Sequence, residues 1–313
     1  MKMESDIQVS VCVVTYNQEN YLVECLESLV KQQTNFKFEI IIGEDCSTDN
    51  TRTIVQSYAE KYPNLIIPLF HEKNIGPFDN IKEVYRKAQG KYIAHMDGDD
   101  FALPGKLQKQ YDILENNKDC VICAHNMQLV NGDGVSKGKD HIFFDKGKYS
   151  KFDLYRIHAL FRHSSKMFRN DLFFFEKLEK IFLDIEIHTL QTDLGLIYLL
   201  DDVLGGYREN VGITFENKFI SQFIRDIVEK LYQDESLVEF TKNEKKLIKR
   251  KYALILQDYA INCAMSIKDS KVYTYYVDES LKYGFVSWKQ LVLKIFTVYP
   301  RAFFKLLEIR NKL

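Results

Sequence analysis

The chain has almost no net charge: 43 lysines and arginines stand against 44 aspartates and glutamates. That balance supplies no general attraction for nucleic acid. Cysteine is sparse. Cys12, Cys25, Cys46, Cys120, Cys123 and Cys263 are scattered through 313 residues, a density that suits reduced thiols in a cytosolic protein and not a disulfide scaffold. Cys120 and Cys123 have C-x-x-C spacing, but they sit inside the apolar run Cys120-Val121-Ile122-Cys123-Ala124. In a strand they point to opposite faces, and no second pair completes a zinc site. Apolar runs of about 18 residues are absent, so no helix is expected to span a bilayer. Met1 to Gln8 is polar and lacks the apolar centre of a secretory signal. Internal repeats, low-complexity tracts and linkers are missing too. What is present is a chain 46% hydrophobic, long enough for one large domain or two.

The first 130 or so residues alternate strand and helix. Val9 to Val14 is β-branched and apolar, a buried strand. Tyr21, Leu22, Cys25, Leu26, Leu29 and Val30 follow at helical spacing. Phe38 to Gly43 and Leu65 to Phe70 read as strands, with a helix between them through about Tyr62 and another over roughly Asn80 to Gln89. Tyr92-Ile93-Ala94-His95-Met96 is a further strand. Pro104 stands where the next helix begins, Lys106 to Asn116 is that helix, and Cys120 to Val130 is a strand. The pattern predicts an α/β fold with a mostly parallel central sheet and helices on both faces. Farther on, Phe152 to Leu160 reads as a short helix, Asp184 to Leu194 as a helix, and Leu196 to Leu200 and Val203 to Arg208 as two strands. From Glu216 onward the chain reads as helical. The expected division is 1–214 for an α/β domain and 215–313 for a helical C-terminal region.

Three polar clusters lie just past strand ends. They are Thr15-Tyr16-Asn17, Glu44-Asp45 and Asp97-Gly98-Asp99-Asp100. Ligands of such sheets bind outside the carboxyl ends of the strands. Three carboxylates within four residues repel one another unless a cation or a partner stands among them. A solvated acidic turn is the plainer reading of that cluster alone. The convergence of three clusters on one sheet edge favours a ligand site. His95, on the strand before the acids, reads as a half-buried sheet histidine.

These residues, in order and at fitting spacings, resemble family 2 glycosyltransferases of the GT-A fold. The match rests on Val-Ser-Val-Cys-Val-Val-Thr-Tyr-Asn from Val9, Glu-Asp-Cys-Ser-Thr-Asp-Asn-Thr from Glu44, and Asp-Gly-Asp-Asp from Asp97. Asn74-Ile75-Gly76 and Pro104 with Lys106-Leu107-Gln108-Lys109-Gln110 extend it. It covers about Val9 to Asn210. The resemblance implies transfer of a sugar from a nucleotide diphosphate donor with Mg²⁺ or Mn²⁺ and inversion at the anomeric carbon, in surface polysaccharide synthesis of the capsule, O-antigen or exopolysaccharide type. The acceptor would be a glycan or lipid-linked glycan. It implies Asp99 as metal ligand, with Asp97 facing the ribose or the metal's water shell and Gly98 turning between them. Asp100 would support the metal's surroundings or the acceptor. Thr15, Tyr16, Asn17 and Glu19 would hold the nucleotide, Asp45 would accept a hydrogen bond from the base, and Lys73 and Asn74 would lie near the diphosphate. A divalent cation is what lets two phosphates approach three carboxylates, and it neutralises charge on the departing diphosphate.

Inversion needs a carboxylate to take the acceptor's proton. In the family an Asp precedes a helix that leads to Gly, a strand and Tyr-Arg-x-His. Here Tyr207-Arg208-Glu209-Asn210 matches that end, with Asn210 where His is usual. Counting back a helix of about eleven residues from Gly195 reaches Asp184. Asp193 is the runner-up, too close to the strand to leave room for the helix. Two other readings compete. A nucleotidyltransferase would usually carry a Gly-rich basic loop after the first strand, and Thr15-Tyr16-Asn17-Gln18-Glu19 has neither Gly nor Lys. A non-catalytic scaffold would have lost the acidic cluster. The last segment, 288–313, is aromatic and has six basic residues against one acidic. It suits an amphipathic helix on an anionic bilayer or one that packs on its own domain. The expected location is cytoplasmic, with peripheral contact on the inner face of the membrane.

Overall fold

The computed structural model describes residues 6–139, 144–209, 211, 220–233 and 235–310. They form two compact units, Met1–Leu154 with Ala159–Asn217, and Tyr155–His158 with Lys218–Leu313.

The first unit is built on a ten-stranded mixed sheet. Strands β1 (Ile7–Thr15), β2 (Lys37–Glu44), β3 (Ile66–Phe70) and β4 (Tyr92–Asp97) are parallel, in the order β3-β2-β1-β4. Helices α1 (Leu22–Val30), α2 (Thr51–Lys61) and α3 (Pro77–Lys87) connect them. Val9, Val11 and Val13 point to one face, where Leu22, Cys25, Leu26 and Leu29 of α1 and Val55 and Tyr58 of α2 bury against them. A fully buried Leu contributes about 2 kcal/mol, so α1 is held chiefly by this stripe. The opposite face takes α3, whose Val84 carbonyl accepts from Cys12 Sγ at 3.8 Å. Both faces of β1 are therefore dry, which is why its sequence is apolar without alternation.

The parallel run then ends. Strand β9 (Met167–Arg169) lies antiparallel between β4 and β6 (Cys120–Val130). Beyond β6 comes β10 (Leu196–Arg208), parallel to it. Short strands β5 (Phe101–Ala102), β7 (Ser136–Lys139) and β8 (Gly147–Tyr149) pair antiparallel at the margins. Helix α4 (Lys106–Asn116) packs against β6. Two expected strands, Leu196 to Leu200 and Val203 to Arg208, are one strand. Its register shifts between Leu200 and Val203 and again before Gly206, so bulges absorb Asp201 and Asp202 without ending the ladder. Helix α5 (Lys151–Ile157) stops at His158, whose φ of 76° ends it short of the expected Leu160. Helix α6 (Asp184–Gln191) is shorter than the expected span to Leu194.

The second unit is helical: α7 (Ile220–Leu231), α8 (Lys242–Asn262), α9 (Ser270–Lys282), α10 (Trp288–Phe296) and α11 (Pro300–Arg310). Thr241 and Glu244 close a capping box at the start of α8. Tyr232 stacks on Tyr252 with centroids 4.7 Å apart and donates its hydroxyl to the Tyr155 carbonyl at 2.9 Å. The tail is two helices and not the single amphipathic helix expected: Pro300 cannot continue α10 and starts α11 instead. Trp288 is 76% exposed, Ile295 69% and Tyr299 72%. Among the described residues no helix is long and apolar enough to cross a membrane.

Candidate active site

Because β2, β1 and β4 are neighbours, the three polar clusters come together on one rim. The ladder continues past the strand ends through main-chain bonds. Gly98 N donates to Val14 O at 2.9 Å and Asp45 N to Thr15 O at 3.1 Å. A side chain on Gly98 would put its Cβ 2.5 Å from Gln18 Oε1 and 2.9 Å from Thr15 Oγ1. That close approach requires Gly.

The loop after β1 is pinned to the loop after β2. Asn17 takes a φ of 51° and its Oδ1 accepts from Thr48 N at 2.8 Å. Asn17 N donates to Ser47 Oγ at 3.0 Å. Glu19 accepts from the Asn50 amide and side chain at 2.9 and 2.7 Å. Asn17 and Glu19 thus shape the rim. Thr15 is buried, its hydroxyl donating to Gln18 Oε1 at 2.8 Å, while Tyr16 is 37% exposed. Asp45 is buried and accepts from Ile75 N at 2.7 Å and Gly76 N at 2.9 Å. Burial raises its pKa, and those two amides work against the rise. Both oxygens are already engaged, so any base would share them. Asn74 Oδ1 accepts from Gly76 N at 3.1 Å. Lys73 is exposed, with no carboxylate in ion-pair reach among the described residues.

The acidic cluster is divided by its surroundings. Asp97 Oδ1 faces His95 Nε2 at 3.1 Å, and its Oδ2 accepts from Ser164 Oγ at 2.9 Å. Burial disfavours its charge, but His95, Ser164 and Lys166 outweigh burial and hold its pKa below the usual value. Burial and then Asp97 push Asp99 up to about 7, opposed by Arg208 and Gln18. Burial, Asp99 and Asp97 raise Asp100 well above the carboxylate range. Asp100 Oδ1 accepts from Arg208 N at 2.9 Å, and its Oδ2 is buried with no hydrogen-bond partner among the described residues. Among the described residues no group of three or more His, Cys, Asp or Glu is arranged to enclose an ion. A cation completed by phosphate oxygens and water needs only one or two carboxylates. An all-oxygen pair of crowded acids, one of them with raised proton affinity, fits Mg²⁺ or Mn²⁺.

The middle of the chain delivers the rest. The 3₁₀ turn His163–Ser165 and β9 carry His163, Ser164 and Lys166 to the end of β4. Asp184, the first residue of α6, has its Oδ1 3.5 Å from His163 Nδ1. Its carboxylate is 57% exposed, yet desolvation by the surrounding protein and then Asp97 raise its pKa to about 6, against the pull of Lys166. Asp193 lies elsewhere, paired with Lys151 at 2.7 Å and Lys177 at 3.5 Å. Asn210 lies outside the described residues.

Several polar groups here escape the sequence reading. His95 is fully buried and bonds Asp97, more enclosed than a half-buried sheet residue. Arg208 donates to the Asp99 carbonyl, pairs with Glu24 and lies over the Tyr21 ring at 4.7 Å. Lys106 is buried, donates to the Ser164 carbonyl, and is lowered to about 8 by burial. Lys166 Nζ is fully buried 5.0 Å over Phe168 with no hydrogen-bond partner among the described residues. Burial lowers it to about 7, with Asp184 and Asp97 opposing. The Tyr-Arg match signals Arg208. Lys106 falls within the Pro104 to Gln110 match, and Lys166 stands among polar neighbours that give no signal of burial.

Known proteins can now be set beside this geometry. A protein of Mycobacterium bovis named only as uncharacterised is 39% identical over 128 residues, 41% of this chain and 37% of its own. The poly(ribitol-phosphate) beta-N-acetylglucosaminyltransferase TarS of Staphylococcus aureus is 33% identical over 130 residues, 41% of this chain and 22% of that protein. These alignments thus take in less than half of each relative's length. The crystal structure of S. aureus TarS 1-349 in complex with UDP-GlcNAc has the same fold, with a TM-score of 0.65 at 21% identity over 95% of this chain and 88% of that one. The family model for glycosyl transferase family 2 matches residues 10–182, from the first strand to the approach of α6 and across every rim cluster. With more than half of its length inside that match, the chain belongs to glycosyl transferase family 2.

Proposed function

We propose that the chain is an inverting glycosyltransferase. It moves a sugar from a nucleotide diphosphate donor, a UDP-sugar, to a hydroxyl of a glycan or lipid-linked glycan in bacterial surface polysaccharide synthesis. One observation carries this reading. The acids at the end of β4 and Asp184 at the start of α6, 87 residues from Asp97 in sequence (184 minus 97), stand around a common partner, His163 and its neighbours. The TarS name and its UDP-GlcNAc complex support a UDP-sugar as the donor to try first.

In this reading Tyr16 packs on the base, while Thr15, Asn17 and Glu19 hold the loop that receives it. Asp45 and the backbone of Ile75 and Gly76 frame the base edge, and Lys73 and Asn74 flank the diphosphate. Asp99, with Asp97, would hold Mg²⁺ or Mn²⁺, which supplies Lewis-acid neutralisation of the leaving group. Gly98 lets the two acids turn against the Thr15 loop. Asp184 accepts the proton of the acceptor hydroxyl. The acceptor oxygen forms its bond to the anomeric carbon from the face opposite the diphosphate. The bond from that carbon to the phosphate oxygen breaks, and its electron pair leaves with the diphosphate. Arg208 and Lys106 keep the turn Asp97 to Asp100 in shape.

The reading extends to peripheral contact with an anionic membrane through 288–313. Exposed Trp288, Ile295 and Tyr299 beside exposed Lys289, Arg301 and Lys305 support it. The reading as a transferase is tested by thermal stabilisation with UDP and Mn²⁺, followed by a screen of nucleotide sugars scored by nucleoside diphosphate release. No stabilisation by any nucleoside diphosphate rejects it.

A further inference from the structure

Helix α1 reaches the main chain of the acidic turn at two places, once directly and once through an arginine. Its start is anchored: Gln18 N donates to Thr51 Oγ1 at 2.8 Å, and Gln18 O accepts from Tyr21 N and Leu22 N, each at 3.0 Å. One turn on, Cys25 Sγ donates to Asp97 O at 3.8 Å. Glu24, beside it, pairs through Oε2 with Arg208 Nη2, and Arg208 Nη1 donates to Asp99 O. Tyr21, three residues before Glu24 and so on the same helix face, has its ring centroid 4.7 Å from that guanidinium. Gly134 closes over the pair. A Cβ there would lie 3.3 Å from Glu24 Oε2 and 3.5 Å from Arg208 Nη2.

Arg208, the last residue of β10, is the joint between α1 and the turn. Its side chain is 2% exposed, while the Glu24 side chain is 48% exposed. Among the described residues Glu24 is its one ion-pair partner. A guanidinium carries its N–H groups in one rigid plane, so a hold on Nη2 fixes where Nη1 points. Removing one partner of a buried pair leaves an uncompensated charge. Beyond Glu24, the charge of Arg208 acts on Asp99. A guanidinium released by Glu24 therefore has the Asp99 carboxylate as its next anion.

We propose that Glu24 is a positioning residue for Asp99: it holds Arg208 on the Asp99 carbonyl and off the Asp99 carboxylate, which stays open to a cation. Glu24 touches neither the acids nor a ligand, and it acts through Arg208 alone. Groups that orient a metal's carboxylate from behind typically matter about tenfold or more to affinity. The inference rests on the reading of Asp99 as the metal ligand.

The test titrates Mn²⁺ into the full chain with UDP and reads free Mn²⁺ by electron paramagnetic resonance, with no sugar donor and no turnover. Glu24→Ala is expected to bind Mn²⁺ about tenfold more weakly than the native chain, with far-ultraviolet circular dichroism unchanged. Glu24→Gln keeps an acceptor for Arg208 Nη2 and drops the charge. It should recover most of the affinity, and no recovery means that charge alone is at work and overturns the inference. If Glu24→Ala does not fold, Tyr21→Leu removes the ring beside the guanidinium and should weaken Mn²⁺ binding in the same direction by less. Unchanged affinity in the folded variants overturns the inference. Asp99→Ala separates the two readings. Native-like Mn²⁺ binding by Asp99→Ala rejects Asp99 as the ligand, and the role of Glu24 with it. Lost binding by Asp99→Ala with unchanged binding by Glu24→Ala rejects only the role of Glu24.

Discussion

The two units break the ordinary rule of burial in opposite senses. In the sheet unit, charged and polar side chains are inside: Lys106, Lys166, His95, His163 and Asp100 are all buried. In the helical unit, large apolar side chains are outside: Phe285, Trp288, Ile295, Val298 and Tyr299 are all exposed. Burying an unpaired ammonium costs stability, and exposing a tryptophan forgoes it. Departures from a consistent pattern gather where function constrains the chain. The difference teaches what each region would meet. A buried polar cluster suits a reaction in which charge moves, and an exposed apolar face with basic neighbours suits a surface.

That contrast can be broken most sharply at Asp184. Asp184→Asn should lower turnover about a thousandfold while leaving the far-ultraviolet circular dichroism unchanged. Nucleoside diphosphate release measures it, and near-native turnover would deprive the buried cluster of its reaction. Asp99→Ala should abolish stabilisation by UDP with Mn²⁺ while sparing the fold; a retained thermal shift would move the cation elsewhere.

Lys166→Met sharpens the contrast from the side of stability. Replacing a buried, unpartnered ammonium by an apolar chain of similar volume is expected to be neutral or stabilising by about 1–3 kcal/mol. Activity should fall at the same time. Urea unfolding and turnover on one preparation check both, and a clear loss of stability would mean that Lys166 is structural.

Two carboxyl groups of the sheet unit contribute stability on the acid side, against the buried neutral histidines beside them. Asp99 and Asp184, raised to about 7 and about 6, hold protons in the folded chain that the unfolded chain has released. Their stability contribution is complete below about pH 4, the unfolded carboxylate range. It is lost as pH rises through their folded values. Thermal midpoints measured from pH 4.5 to 7.5 should therefore fall less steeply in Asp99→Asn than in the native chain. The smallest effect on stability belongs to the helical unit. Trp288→Ser with Ile295→Ser should change it by no more than about 0.5 kcal/mol per site. Sedimentation with anionic vesicles should nevertheless drop, and unchanged sedimentation would leave the exposed face without its proposed surface.

The sequence was most legible where structure is local. Lys106 to Asn116 and Cys120 to Val130 are read to the residue, because Pro104 and an unbroken apolar run mark their ends. The three rim clusters were visible because a parallel sheet gathers strand ends automatically. Antiparallel β9 is hard to place from the sequence, since three residues carry no period that could reveal its neighbours. The join of Leu196 to Arg208 was hidden by Asp201-Asp202, acids that look like a turn until a bulge carries them. Least legible was the contact of His95 with His163, whose ring centroids lie 4.0 Å apart. His95 and His163 stand 68 residues apart (163 minus 95), and nothing in the spacing of either announces a shared contact.

The main-chain bonds that carry the ladder past β1, β2 and β4 have a consequence for engineering. Gly98 to Val14 and Asp45 to Thr15 lock the loops proposed to receive the nucleotide into one piece. On the other side β9 is laddered to β4 and β6, but Ser164 and Asp184 meet Asp97 and His163 through side chains. A designer who wants a new product should leave the first side untouched and graft the second. The handle stays fixed while the tool is exchanged.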